Sequence, residues 1–267
     1  MNNRDYQSIV CISSHWLISM LNSPADCWRK YIDPNRPAQT VTDSMKFGTL
    51  IHCLILTPKQ FEKEFLIADV QRRSLSDKAR YAELSATGKI LISPSQYEKA
   101  QAIVAVLKSD SEAFKLLRYG SKEKTIIQPR HGELLPLKAR LDVLNQTKHL
   151  VVELKTIYSI QAVETAIERY RYYLSASFYQ DISKSKTVNF VFVKTAEPFE
   201  VQILEITKEQ LQKGREQYQM ALKLFDQCWQ SNDWPEAETT SKSEDELYIH
   251  PYFIPRKYDL PVGELTL

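Results

Sequence analysis

Asp142 stands eleven residues before Glu153, and Lys155 follows two positions later. A basic-apolar run, Leu137-Lys138-Ala139-Arg140-Leu141, leads into Asp142, and the apolar run Leu150-Val151-Val152 leads into Glu153. Between them Asn145-Gln146-Thr147-Lys148 reads as a turn. This spacing predicts a hairpin with Asp142 on one strand and Glu153 and Lys155 on the other. Side chains alternate along a strand, so Glu153 and Lys155 share a face that a cross-strand Asp142 can join. Two carboxylates beside an ammonium make a hard-cation site with a cationic neighbour. That set suits metal-assisted cleavage of a phosphodiester. Lys138 and Arg140 alternate with Asp142 on one strand face, where they can meet phosphates.

Each residue alone also has a plainer reading. Glu153 and Lys155 fit a solvent-facing ion pair. His52 fits a core histidine in an apolar helix, and Glu123 an ordinary loop acid. Tyr170, Tyr172, Tyr173, Phe178 and Tyr179 fit a packing face at helical spacing. Arg169 and Arg171 among them suit either a solvated face or a nucleic-acid backbone.

The flanking elements are legible from caps and periodicity. Ser13 or Ser14 can cap a helix presenting Trp16, Leu17, Met20 and Leu21. Asn22-Ser23-Pro24 breaks it, and a second helix runs over 25–32. Residues 44–56 form a buried helix stopped at Thr57-Pro58. Residues 69–93 read as a polar loop region with a short helix. Ser93-Pro94-Ser95 starts a helix to about Leu107, and 109–117 forms another. Strands follow over 124–128, 134–144 and 149–156, then a helix over 160–179. Further strands run over 188–195 and 201–206, and a long helix runs from Thr207 to Trp229. This order gives a mixed α/β core behind a helical N-terminal region.

The chain has 267 residues, 43% of them hydrophobic and 10% aromatic, enough for a substantial core. Its net charge of +2 excludes a globally basic field as the basis of nucleic-acid binding and leaves room for a local basic groove. Cys11, Cys27, Cys53 and Cys228 are dispersed, which argues against disulfide or zinc frameworks. The first residues lack an apolar core of a leader, and no run approaches membrane-span length. The expectation is a cytoplasmic protein with no membrane association.

Asp142 followed by Glu153-Leu154-Lys155 resembles the PD-(D/E)XK nuclease core, a restriction-endonuclease-like mixed β-sheet flanked by helices. Gly48-Thr49-Leu50-Ile51-His52 matches the GxxxH element of its RecB-like branch, and Glu123 stands where that branch often carries another acid. Tyr172 to Tyr179 falls where the branch has its Q-x-x-x-Y helix. Tyr179 matches the Tyr, and Ser175 stands in place of the Gln. Together with Ile12-Ser13-Ser14 and Ser23-Pro24, these elements look most similar to the RecE-type nuclease, over about residues 11–230.

The resemblance implies a Mg²⁺- or Mn²⁺-dependent exonuclease acting on double-stranded DNA ends, 5′ to 3′, for recombination. It implies a homo-oligomer and a single-strand annealing protein as partner. Asp142, Glu153 and the Leu154 carbonyl would hold the cation, His52 would complete the shell, and Glu123 would act through a second cation or a water. Lys155 would orient or deprotonate the attacking water. Lys138, Arg140, Ser175 and Tyr179 would contact substrate. A nuclease domain over 1–230 divides into a helical part (about 11–117) and a catalytic core (about 118–230), followed by a flexible or docking tail over 231–267. A structure-specific endonuclease and a catalytically silent DNA-binding subunit are the competing readings.

Overall fold

Val151, Val152 and Leu154 are buried, so the strand that carries them is central rather than marginal. The computed structural model describes residues 3–37, 41–69, 74–132 and 134–237. Of the expected tail, residues 238–267 lie outside the described residues.

Three helices open the chain: α1 (Asn3–Ser8), α2 (Ser14–Asn22) and α3 (Pro24–Cys27), the last continuing as a π turn over Trp28–Ile32. Helix α4 (Asp43–Leu56) is capped by the Thr42 hydroxyl. A short α5 (Phe61–Glu64) leads into β1 (Phe65–Ile67), and α6 (Leu75–Ser85) precedes β2 (Ile90–Ile92). Strands β1 and β2 pair in parallel. The sequence reading missed both, because three-residue strands are too short to show a period. Helix α7 (Pro94–Ser109) begins with a reciprocal Ser93–Gln96 capping box, and α8 (Ser111–Arg118) follows.

The main sheet contains β3 (Ser121–Gln128), β4 (Leu137–Asn145), β5 (Leu150–Ile157), β6 (Thr187–Lys194) and β7 (Val201–Glu205), in that spatial order. Only β5 and β6 are parallel. Their crossover carries α9 (Val163–Arg169) and α10 (Tyr172–Ser183), and α11 (Lys208–Ser231) closes the fold. The single helix expected over 160–179 is therefore two. Arg171 adopts a left-handed conformation (φ 51°) between them, with no Gly or Pro to announce the break.

Helices sandwich the sheet. On one side Leu17, Met20, Leu174, Phe178 and Phe225 pack against Leu141, Val151, Phe190 and Phe192. On the other, Leu50, Ile51, Ile103 and Leu107 pack against Val143, Val152, Leu154 and Val191. After α11 the chain folds back: Trp234 meets the Phe225 ring edge-on at 5.4 Å, and Glu236 pairs with Arg29. No helix among the described residues is long and apolar enough to cross a membrane.

Candidate active site

The β4–β5 ladder holds for only three pairs, Asn145–Leu150, Leu144–Val151 and Val143–Val152. Beyond Val143 the strands part. On the far side of the fork β4 is flanked by the N-terminal segment: Lys138 N donates to Ile12 O and Ile12 N to Pro136 O, both at 2.8 Å. Alternation breaks at the same place, since Leu141 and Leu144 pack on one layer and Val143 on the other. Asp142 sits at this irregularity. Its carboxylate accepts the Leu154 N–H at 2.8 Å, and the Glu153 carboxylate accepts the Asp142 N–H at 3.3 Å. Side chains thus satisfy backbone donors that the open ladder leaves bare.

Around Asp142 the other residues converge. Helix α4 brings His52, whose Nδ1 lies 3.6 Å from Asp142 Oδ1. Gly48, one turn earlier, lets α4 approach β5: a Cβ there would sit 3.2 Å from Thr156 Oγ1. Strand β3 brings Glu123, level with Asp142 between the pairs Lys122–Val143 and Lys124–Leu141. Glu123 has a left-handed backbone (φ 49°), a conformation costly for a side-chain-bearing residue and concentrated at functional sites. Strand β5 brings Glu153 and Lys155, as the hairpin reading expected, with Lys155 Nζ 2.8 Å from Glu153 Oε2. Lys155 Nζ also lies 5.8 Å from the ring centroids of Tyr172 and Phe190.

Burial and charge set the protonation pattern. Glu153 is only 2% exposed. Burial and the neighbouring Asp142 charge push its pKa up to about 7, partly offset by Lys155. Burial also opposes the charged form of Asp142, but His52, Lys155 and the Leu154 N–H outweigh it and lower its pKa. Burial and Asp142 raise Glu123, with Arg140 pulling the other way. For His52, burial disfavours the cation, yet Asp142 prevails and the pKa rises. For Lys155, burial likewise disfavours the charge, and the Glu153 and Asp142 carboxylates hold its pKa above the ordinary lysine value. The two carboxylates thus favour the charged form of Lys155.

One donor atom each from His52, Glu123 and Asp142 lies within 4.8 Å of the others. One imidazole nitrogen and two carboxylate oxygens fit a hard divalent cation. The Leu154 N–H points into the fork, and in a strand the carbonyl of the same residue points to the same edge, so Leu154 O faces that space as well. Glu153 lies beside this three-residue group, its carboxylate bonded to Lys155 Nζ and to the Asp142 N–H.

The residues expected to touch substrate divide. Tyr179 lines the cleft, of about 630 Å³, together with His52, Glu123 and Asp142. Its hydroxyl receives the Ser14 hydroxyl proton at 3.2 Å. Ser175, one turn earlier on α10, is buried and does not line the cleft; its side chain is too short to reach where a Gln would. Arg140 faces the cleft but its Nε lies 2.5 Å from Glu123 Oε2. Lys138 also lines the cleft. It is buried, and its ammonium donates to Tyr6 O and Ile9 O, both at 2.8 Å, over the Tyr6 ring. Lys138 thus ties α1 to the sheet.

Sequence reasoning missed Tyr6 and misjudged Ser14, both of which line the cleft. Tyr6 lies in a short polar stretch without periodicity. The Ser14 hydroxyl looked like a helix cap but points to Tyr179, and Ser13 makes no side-chain cap either.

A forked, helix-sandwiched mixed sheet with Asp142, Glu153 and Lys155 at the fork defines the PD-(D/E)XK nuclease class. Within it, the chain belongs to the family described as PDDEXK-like domain of unknown function (DUF3799), whose model matches residues 13–244. The fold is similar to that of a candidate exonuclease from Eubacterium rectale, at 13% identity and a TM-score of 0.67, covering 90% of this chain and 91% of that one. A phage-related exonuclease from Haemophilus somnus 129PT is a looser likeness, at 12% identity and a TM-score of 0.36, covering 86% and 100%. No curated protein sequence matches the chain.

Proposed function

We propose that the chain is a divalent-cation-dependent DNA exonuclease acting on the ends of linear duplexes. The observation that carries this reading is the His52–Glu123–Asp142 donor group opening beside the Glu153–Lys155 pair. Mg²⁺ or Mn²⁺ held there would supply an acidified water and neutralise charge on the phosphate. Asp142, Glu123 and His52 would hold the ion, with the Leu154 carbonyl as a further ligand. Lys155 orients the water and faces the phosphate with a fixed positive charge, and Glu153 keeps it in place. Arg140 restrains Glu123 until a phosphate competes for its guanidinium. Tyr179 and Ser14 offer hydroxyls along the cleft wall.

The similarity to RecE-type nucleases supports 5′-to-3′ resection for recombination, a homo-oligomeric assembly, and a single-strand annealing protein as partner. End-labelled linear and closed circular duplexes, incubated with Mg²⁺, Mn²⁺ or EDTA, test the reading. The expected result is degradation of linear DNA alone, abolished by EDTA and by Lys155→Ala. Cutting of closed circles would favour an endonuclease, and binding without cleavage under any cation would sink both enzymatic readings.

A further inference from the structure

Next to the cleft lies a second hollow of about 300 Å³. It is walled by Tyr158 at the end of β5 and by Thr165, Arg169, Tyr170 and Tyr172 on the crossover helices. Thr156 lines both this hollow and the cleft, so the two are neighbours. Tyr172 also lines the hollow, and its ring centroid lies 5.8 Å from the Lys155 ammonium.

Core packing accounts for Tyr173 and Phe178, which are buried. It does not account for Tyr158, 79% exposed, or Tyr170, 50% exposed. Both rings line the same hollow, so together they form an exposed aromatic surface rather than scattered single residues. The Tyr170 and Tyr172 rings lie 5.7 Å apart, and the Arg169 guanidinium lies 5.7 Å from the Tyr170 ring centroid. The left-handed Arg171 breaks the crossover helix between these tyrosines, so Tyr170 ends one segment while Tyr172 starts the next. Flat π faces with an arginine beside them match the chemistry of an unpaired nucleobase followed by its phosphate.

Resting on the nuclease reading above, we propose that this hollow is a stacking platform for an unpaired base of the DNA strand that enters the cleft. The strand's phosphate reaches the Lys155 side while the neighbouring base leaves the duplex and stacks on Tyr158 and Tyr170. Arg169 meets the next phosphate. The platform works on single-stranded DNA and reads no particular base, since every base offers a π face.

Binding in EDTA tests the platform apart from catalysis. Fluorescence anisotropy would compare a labelled oligothymidylate with an abasic strand of equal length. The expected result is tighter binding of the strand with bases. Tyr158→Ala with Tyr170→Ala should weaken it by about tenfold or more, while leaving the abasic strand unaffected. Tyr158→Phe with Tyr170→Phe should keep the preference, because stacking needs the ring and not the hydroxyl. Equal binding of the two strands, or an unchanged alanine variant, would overturn the proposal. So would a changed sedimentation coefficient in the alanine variant with unchanged strand affinity, which would make the hollow a contact between copies. A protein that cleaves nothing yet prefers the strand with bases would lose the nuclease reading and keep the platform. Cleavage without that preference would do the reverse.

Discussion

The Asp142 carboxylate accepts the Leu154 N–H at 2.8 Å, across a gap where the β4–β5 ladder has already opened. An acidic side chain here replaces a backbone partner, so one residue both props the fork and belongs to the His52–Glu123–Asp142 donor group. Asp142→Asn keeps the shape but removes the charge that lowers this carboxyl's pKa and raises that of His52. Mn²⁺ affinity should fall by roughly two orders of magnitude or more, since an anionic first ligand is lost. Titration calorimetry checks it, and affinity within a few fold of wild type would remove Asp142 from the site. Circular dichroism should show the fold retained.

Glu153, Glu123 and His52 all have folded pKa values above their ordinary ones. A group whose pKa rises on folding contributes stability that is complete below the unfolded pKa and is lost as pH climbs through the folded one. For Glu153 that window runs from its ordinary 4.5 to about 7. In EDTA, urea unfolding should therefore show stability declining from pH 5 to pH 8, by up to about 3 kcal/mol from Glu153. Glu153→Gln should flatten the slope. Deprotonation of Glu123 and His52 frees the donor atoms a cation needs, so Mn²⁺ affinity should rise with pH as well. A stability that climbs from pH 5 to pH 8 in EDTA would contradict the assigned directions.

Much of the site was legible because strand geometry is local. Glu153 and Lys155 sit two apart on β5, and the turn at 145–148 brings Asp142 opposite them, as alternation and turn chemistry require. His52 and Glu123 were legible only through their place in a family pattern, because nothing local requires α4 or β3 to meet the fork. What stayed hidden depends on tertiary context. The fate of Lys138 is decided by carbonyls about 130 residues away, at Tyr6 and Ile9. The pairing of the Glu153 carboxylate with both Lys155 and the Asp142 N–H appears only once the strands are folded together. The break at Arg171 carries no Gly or Pro to signal it.

Gly214 on α11 lies against α10 so closely that an added Cβ would meet Tyr173 O at 2.2 Å and Ser177 Oγ at 2.5 Å. Ser177 is itself fixed, donating to Tyr173 O at 2.8 Å and Leu211 O at 2.6 Å. Neither can give way without parting two helices that cover the sheet. Gly214→Ala should lower stability by about 2–3 kcal/mol through overpacking, a fall in Tm of roughly 4–12 °C. Calorimetry measures it. An unchanged Tm would mean that α10 and α11 slide apart freely.

Lys138 separates two roles that the sequence alone could not. If it contacts phosphate, its removal weakens DNA binding and leaves the fold alone. If it anchors α1, its removal frees the N-terminal segment, which carries Tyr6 into the cleft wall. The burial that lowers the Lys138 pKa also makes its two carbonyl bonds hard to replace with water. Lys138→Met keeps the stem and deletes the donors, leaving Tyr6 O and Ile9 O without their partner. Stability should drop by about 1–3 kcal/mol, and amide exchange should rise in residues 3–9 before anywhere in the sheet. Loss of DNA affinity with unchanged exchange in that segment would instead restore the phosphate role.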